Sequence, residues 1–418
     1  MRKMYLGILA LYLSILSSHA QTKSTVDKDS TNYEVRKLKI DEVNFVSAYY
    51  HQEGNNSAVT GGIGSEKLSD FANTIDLQLS RENGSGHKST YLFELGVDHY
   101  TSASSDQIDP YSISSASRRD TRVYPSFNWT RSNIKTGNSL GFTGSYSHEY
   151  DYQSRGAGIN LTRVSASKNT QFDFKLMAFL DTWKVILPVE LRPPGYGSGS
   201  RLDQRPVDYK PRNSFSASFS LSQVINTRFQ ALFIVEPSFQ HGLLATKYQR
   251  VYFNSNFATG AGPTGSVFNE RVENLPDSRY KLPLAFRLNY FLDDYFIIRA
   301  FYRYYIDNWG IKAHTAEIEV PIKLSSFFSL SPFYRFNSQV GTRYFAPYGQ
   351  HNITETYYTS DYDLSTLHSN FLGMGIRLAP PKGVFGWQHF NTLELRYGHY
   401  IQSTKLISNI LTLHMKFK

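Results

Sequence analysis

Tyr280-Lys281-Leu282-Pro283-Leu284-Ala285-Phe286-Arg287-Leu288-Asn289-Tyr290 puts an apolar or aromatic side chain at every even position, with Lys281, Arg287 and Asn289 among the odd ones. Successive side chains of a β-strand point to opposite faces, so this stretch presents one apolar face and one polar face. The pattern recurs. Tyr91, Phe93, Leu95 and Val97 alternate with Leu92, Glu94, Gly96 and Asp98. Phe172, Phe174, Leu176, Ala178 and Leu180 alternate with Asp173, Lys175, Met177, Phe179 and Asp181, and Phe229, Ala231, Phe233, Val235 and Phe239 follow the same period. Period two, repeated along the chain, predicts an all-β protein.

Working outward, the alternation predicts about sixteen strands, with a range of roughly 14–18. Their spans are 41–52, 69–81, 88–100, 121–132, 139–150, 155–166, 171–182, 213–224, 228–242, 279–292, 295–307, 313–324, 327–338, 364–378, 388–400 and 405–417. Connectors alternate in length. Glu82-Asn83-Gly84-Ser85-Gly86, Lys135-Thr136-Gly137-Asn138, Asn226-Thr227 and Asp293-Asp294 are short, whereas 53–68, 101–120, 183–212, 243–278 and 339–363 are long. Two connectors on the long side, near 150 and 308, are brief. Short turns on one side and long loops on the other are expected of a transmembrane up-and-down antiparallel β-barrel over 40–418.

Composition agrees with that geometry. Mean hydropathy is below zero, yet aromatics reach 15% and charged residues only 19%. A wall that meets lipid on one face and water on the other needs that mixture. The formal charge is +9; Arg2 and Lys3 contribute two of it, leaving +7 beyond them, and the basic residues form no run or helical face, so no nucleic-acid partner is expected. The chain has no Cys, which excludes disulfides, thiol chemistry and lipoprotein processing. Arg2 and Lys3, the apolar stretch Leu6 to Leu16 and the small residues around Ser18-His19-Ala20 read as a signal peptide over 1–20. Residues 21–39 then read as a flexible periplasmic lead.

Leu411, Leu413, Met415 and Phe417 alternate to the end of the chain, as a strand that closes a barrel against the first one would. That ending resembles the recognition signal of barrel assembly machinery. Pro125, Pro237, Pro283, Pro321 and Pro332 argue the other way, because each removes a ladder N–H. They are expected at bulges or near the rims.

Glu273-Asn274-Leu275-Pro276-Asp277-Ser278-Arg279 leads on to Phe301-Tyr302-Arg303-Tyr304-Tyr305-Ile306-Asp307-Asn308-Trp309-Gly310 and Ala313-His314-Thr315-Ala316-Glu317. With Glu149-Tyr150-Asp151-Tyr152 and Leu187-Pro188-Val189-Glu190, this order resembles an uncharacterised family of outer-membrane proteins common in Bacteroidota. The resemblance implies a barrel in the bacterial outer membrane. It implies no catalytic residue, ligand or substrate.

The polar faces define a lumen. Over the first nine strands it is mostly acidic, with Asp76, Glu94, Asp98, Glu149, Asp173, Asp181 and Glu236 against Lys175. Over the last seven it is mostly basic, with Lys281, Arg287, Arg299, Arg303, Arg335, Arg377, Arg396 and Lys416 against Asp307, Glu317, Glu319 and Glu394. Opposed charges can set ion selectivity. Spacing on adjacent strands favours pairing of Arg299, Arg303 and Arg335 with Glu317 and Glu319 as structural fill. Tyr302, Tyr304, Trp129, Tyr290 and Tyr397 suit the headgroup level. Phe253, Phe257, Tyr344 and Tyr348 in long loops are the candidates for ligand contact. His148-Glu149-Tyr150-Asp151 has a spacing common by chance, so no metal site is expected there, and no cofactor elsewhere.

Asp307-Asn308-Trp309-Gly310 reads as a tight turn. A catalytic site would need Ser, His and an acid converging at one rim, and the histidines are scattered along the chain. The expectation is therefore a porin-like channel for small polar solutes. A non-conducting barrel serving as scaffold or partner for a periplasmic or surface protein is the alternative, with loops 183–212 and 243–278 deciding by folding inward or not.

Overall fold

The structure, a computed structural model, describes residues 38–101, 119–188, 191, 208–254 and 270–418. The expected signal peptide and nearly all of the expected lead lie outside these residues.

Sixteen strands form one closed antiparallel ring. They are β1 (Lys39–Glu53), β2 (Leu68–Glu82), β3 (His87–Thr101), β4 (Arg119–Asn133), β5 (Ser139–His148), β6 (Tyr152–Val164), β7 (Thr170–Val185) and β8 (Asp208–Asn226). Then come β9 (Phe229–Val235 continued by Ser238–Gly242), β10 (Ser278–Phe291), β11 (Ile297–Asp307) and β12 (Lys312–Glu319 continued by Ile322–Lys323). β13 (Phe328–Val340), β14 (Leu367–Leu378), β15 (Phe390–Gln402) and β16 (Ile407–Phe417) complete it. Each strand pairs with its neighbour in sequence. β16 pairs with β1 from Val43↔Phe417 to Glu53↔Ile407, so the ladder has no free edge.

Register fixes which side chains share a face. Tyr49 lies opposite Phe71 and Leu411, Phe93 opposite Phe127, Phe233 opposite Phe286, and Phe286 opposite Tyr302. All of these rings and side chains are exposed, and together they make a continuous apolar belt around the ring. Water would penalise such a surface heavily; hydrocarbon covers it. The alternate positions face inward and include nearly every charge assigned above to the lumen.

Proline is accommodated in two ways. Pro237 and Pro321 interrupt β9 and β12, yet register continues across both gaps. Their carbonyls still accept, from Ala217 N–H at 3.0 Å and from Ile297 N–H at 3.1 Å. Pro283 and Pro332 likewise accept from Glu236 N–H and Val320 N–H, both at 3.0 Å. Each ring therefore removes one donor and leaves the acceptor working, which a paired strand tolerates. The expected strands 228–242 and 313–324 are corrected only at these breaks. β6 and β8 are displaced or longer than expected, spanning Tyr152–Val164 and Asp208–Asn226.

Connectors sort by side as expected. The turn side also holds the longer Ala379–His389 segment, where the rings of Phe390 and Phe417 stack 4.8 Å apart and Trp387 lies 5.5 Å from Phe417. The last aromatic of the chain is thus packed against β15 and the turn before it, beside the seam with β1. Inside the wall, Gly373 and Gly398 face each other across β14 and β15, and a Cβ on Gly398 would meet the Phe371 ring at 2.5 Å.

The belt predicts a sign for substitutions. Leu395→Arg, at mid-height of β15 and outward, should cost about 2–4 kcal/mol of folding free energy in bilayers. Urea unfolding in vesicles checks this; an unchanged midpoint would mean that Leu395 does not meet lipid.

Candidate functional site

The loop-side mouth is built from residues that the strands leave over. Three connectors, 54–67, 243–277 and 341–366, come together there. Asn274 pairs with Tyr358, Phe253 with His351 and Phe345 with Thr359 in isolated bridges, and Arg250 Nη1 donates to Val59 O at 3.0 Å. Val251, Phe253 and Tyr358 form one apolar core; Leu244, Ala245, Leu275 and Trp309 form another. The Asp307–Gly310 turn is the post. Asp307 Oδ1 accepts from Trp309 N–H and Ile311 N–H at 3.0 and 2.9 Å, and Arg279 Nε donates to its Oδ2 at 2.9 Å. The buried Trp309 indole donates to Ser278 O, also at 3.0 Å, with the Arg279 guanidinium over its ring.

Inside this cluster sits Glu273, 2% exposed. Its carboxylate accepts from Thr359 Oγ1 at 2.5 Å and from Thr246 N–H at 2.6 Å, so one side chain ties two loops together. His351, 1% exposed, braces its own loop, with Nε2 2.9 Å from Thr359 O and Nδ1 2.6 Å from Glu355, while its backbone carbonyl accepts from Asn254 N–H of the neighbouring loop at 2.9 Å. Burial pushes the Glu273 carboxyl up to about 7. It also raises Asp361, with Asp363 beside it, and Glu66.

Beneath these loops lies a lumenal cavity of about 930 Å³. Loop residues Val59, Glu66, Tyr248 and Asp361 roof it, and wall residues Arg303, Tyr305, Arg335, Tyr50 and Tyr400 line it. A second cavity of about 500 Å³ adjoins it, sharing Arg303, Thr315 and Arg335. Here the basic wall is organised. Arg335 Nε donates to Glu317 at 2.6 Å. Glu319 is shared, 3.7 Å from Arg299 and 3.3 Å from Arg396. Arg396 reaches it from three strands away, passing over the Phe333 ring and beside Gly375, whose missing side chain leaves the space. Arg287 lies over the Phe301 ring, and neither Arg287 nor Arg303 has a carboxylate partner among the described residues.

On the opposite wall, Asp76 faces Glu94 across β2 and β3, and Asp98 accepts from Tyr124 at 2.9 Å. The acidic and basic residues named from sequence therefore lie on different arcs of one lumen. Of the described loop candidates, Phe253 is buried away from ligand contact, and Tyr344 and Tyr348 are partly exposed. Phe253 is 1% exposed and anchors the roof; Tyr344 packs edge-on against Trp309, and Tyr348 lies on Tyr252. Phe257 is outside the described residues, as is most of 183–212. Loop 243–278, in its described part, folds inward, joined by 53–68 and 339–363.

Sequence reasoning missed two features. Val251-Tyr252-Phe253 and Leu243-Leu244-Ala245 are apolar runs inside a loop, and that was the available signal for the roof. The histidines also gather. His51, His99, His148, His241, His314, His368 and His399 all share the outward face, within three residues of the loop-side strand ends. Tyr302 bonds His314 at 2.7 Å, and Tyr146 and Phe239 stack on His148 and His241, giving an aromatic and imidazole girdle at headgroup level. On this rim His51 bonds Ser69 at 2.8 Å, while its contact with the well-exposed Glu53 is 3.4 Å, the geometry of a surface hydrogen bond.

A family profile described as "Protein of unknown function (DUF3570)" matches residues 94–405. No curated relative matches the sequence. Among solved structures, the siderophore receptor PirA from Acinetobacter baumannii is 9% identical at a TM-score of 0.40, over 86% of this chain and 53% of that one. The chain thus spans about half the length of that receptor. A BenF-like porin from Pseudomonas fluorescens Pf-5 is 8% identical at a TM-score of 0.38, over 90% and 98%. OccK9 from Pseudomonas aeruginosa is 8% identical at 0.36, over 91% and 98%.

The roof should respond to pH with a definite sign. The Glu273 carboxyl rises from 4.5 to about 7 in the folded loops, so between those values the closed roof holds more protons than an opened one. Its stability is full below that window and falls as pH rises through it. Amide exchange at Val251, Phe253 and Thr359, corrected for intrinsic rate, should be faster at pH 8 than at pH 5, and Glu273→Gln should reduce the difference, Asp361 keeping the rest. Equal protection at both values in the unaltered protein would contradict this.

Proposed function

The chain belongs to the DUF3570 family, and we propose that it is a porin-like channel of the bacterial outer membrane that passes small polar solutes. One observation carries the reading: the closed ring encloses a water-accessible cavity of about 930 Å³ whose wall is charged on both sides. A barrel built only as a scaffold has no need for a large cavity lined by arginine and tyrosine; side chains fill the interior of a barrel that does not conduct. The opposed acidic and basic arcs would set a transverse field across a passing solute. By this reading the long loops are extracellular, the short turns are periplasmic and the strand ending in Phe417 is presented to the assembly machinery during biogenesis. Surrounding lipid is the other partner, and an origin in Bacteroidota accords with the sequence motifs.

The knitted loops favour a second reading. Three connectors held by the Glu273 and Arg250 side chains and by the His351 backbone cover the loop-side mouth, as a non-conducting barrel presenting a platform to a surface or periplasmic protein would require. Conductance separates the two. The purified protein in planar bilayers should give discrete openings, and removal of residues 347–357 should raise their unitary size. No ion flow from either form would leave the platform reading standing alone.

A further inference from the structure

The smaller cavity has a chemistry of its own. Four guanidiniums, Arg287, Arg299, Arg303 and Arg335, share it with only two carboxylates, Glu317 and Glu319. Those two are already engaged, Glu317 by Arg335 and Glu319 by Arg299 together with Arg396. Arg287 and Arg303 are left over. They stand on adjacent strands: Arg303 is opposite Ala285 and Arg287 opposite Phe301, so the two are diagonal neighbours roughly 7–8 Å apart at the backbone. A guanidinium presents a planar fork of donors that matches an oxyanion in two bonds at once. Two such forks side by side, uncompensated and facing one enclosed space, lack only a group with negative oxygens between them.

We propose that this alcove is an oxyanion-binding station in the lumen, taking a small solute that carries a carboxylate or a phosphate group. Arg287 and Arg303 hold the anion. The ion pairs of Arg335 and Arg299 keep Glu317 and Glu319 from collapsing onto them. Phe301, under the Arg287 guanidinium, fixes the direction of that fork. The alcove opens to the larger cavity beside Arg303, Thr315 and Arg335, so a solute entering below the loops reaches it without crossing the wall. Acidic groups line the loop end of the larger cavity, among them Glu66, Asp361 and Asp363, whereas the alcove is basic. The loop end is thus the less favourable place for an anion and the alcove the more favourable one, so an anion inside the lumen settles in the alcove.

This inference rests on the reading of the lumen as a solute pathway, and the test separates the two. Binding of inorganic phosphate and of succinate to the full refolded barrel in detergent is measured by calorimetry at low salt, with glycerol as the neutral control. Variants are Arg287→Gln with Arg303→Gln, and Arg377→Gln as a lumenal arginine outside the alcove. At least one of the two oxyanions should bind, glycerol should not, and the double variant should weaken binding by about tenfold or more while Arg377→Gln leaves it within about twofold. Phosphate alone, succinate alone or both identifies the oxyanion. Binding that is absent at millimolar concentration, or unaltered in the double variant, overturns the proposal. Salt-gradient reversal potentials in bilayers form the second arm. A barrel that conducts nothing but still binds the oxyanion through Arg287 and Arg303 refutes the channel and keeps the station.

Discussion

A polypeptide segment in hydrocarbon has no water to satisfy its N–H and C=O groups, and every other feature of this molecule follows from how that demand is met. The chain meets it by pairing β16 with β1, so that each strand has two neighbours. Closure of this kind makes the side-chain period strict. A slip of one residue would carry Arg287 into lipid and Phe286 into the lumen. It also explains why proline survives at positions 237, 283, 321 and 332, where the lost donor is local and the carbonyl remains in the ladder.

Closure leaves an interior that must be filled with side chains or with water. Here it is divided. Ion pairs such as Arg335 with Glu317 consume part of the charge, and glycines at 373, 375 and 398 open room for rings and for the long reach of Arg396. Among the described residues this leaves two adjoining cavities, the smaller of which holds two arginines, Arg287 and Arg303, without an acid partner. The loops complete the division by folding over one mouth, and they do so with buried polar groups. Glu273 satisfies partners from two connectors and the His351 ring braces one of them, which makes the roof specific and also breakable.

The barrel was legible because its signal is repeated sixteen times and each repeat is forced by the same solvent on each side. Alternation from Tyr280 to Tyr290 identified outward and inward residues of β10 without error, and the connector lengths ordered the two ends. Breaks at Pro237 and Pro321 were foreseeable in kind, though not in register. The roof was not legible. Phe253 was read as ligand-facing because loop aromatics often are, yet its burial depends on contacts between 243–277 and 341–366 that no local pattern encodes. The histidine girdle escaped for the same reason. Residues 348 positions apart, His51 and His399, become members of one ring only when sixteen registers are fixed together.

The chain has no cysteine, so single cysteines can be introduced one at a time along β10 and labelled with a nitroxide in the bilayer-embedded protein. Labels replacing residues 280, 282, 284, 286 and 288 should collide with oxygen dissolved in hydrocarbon, and those at 281, 283, 285, 287 and 289 with a water-soluble nickel chelate. Two curves out of phase, with a period of two residues, are expected. Accessibilities that vary smoothly along the strand, or labels that all meet the chelate, would contradict a ring with lipid outside and water within.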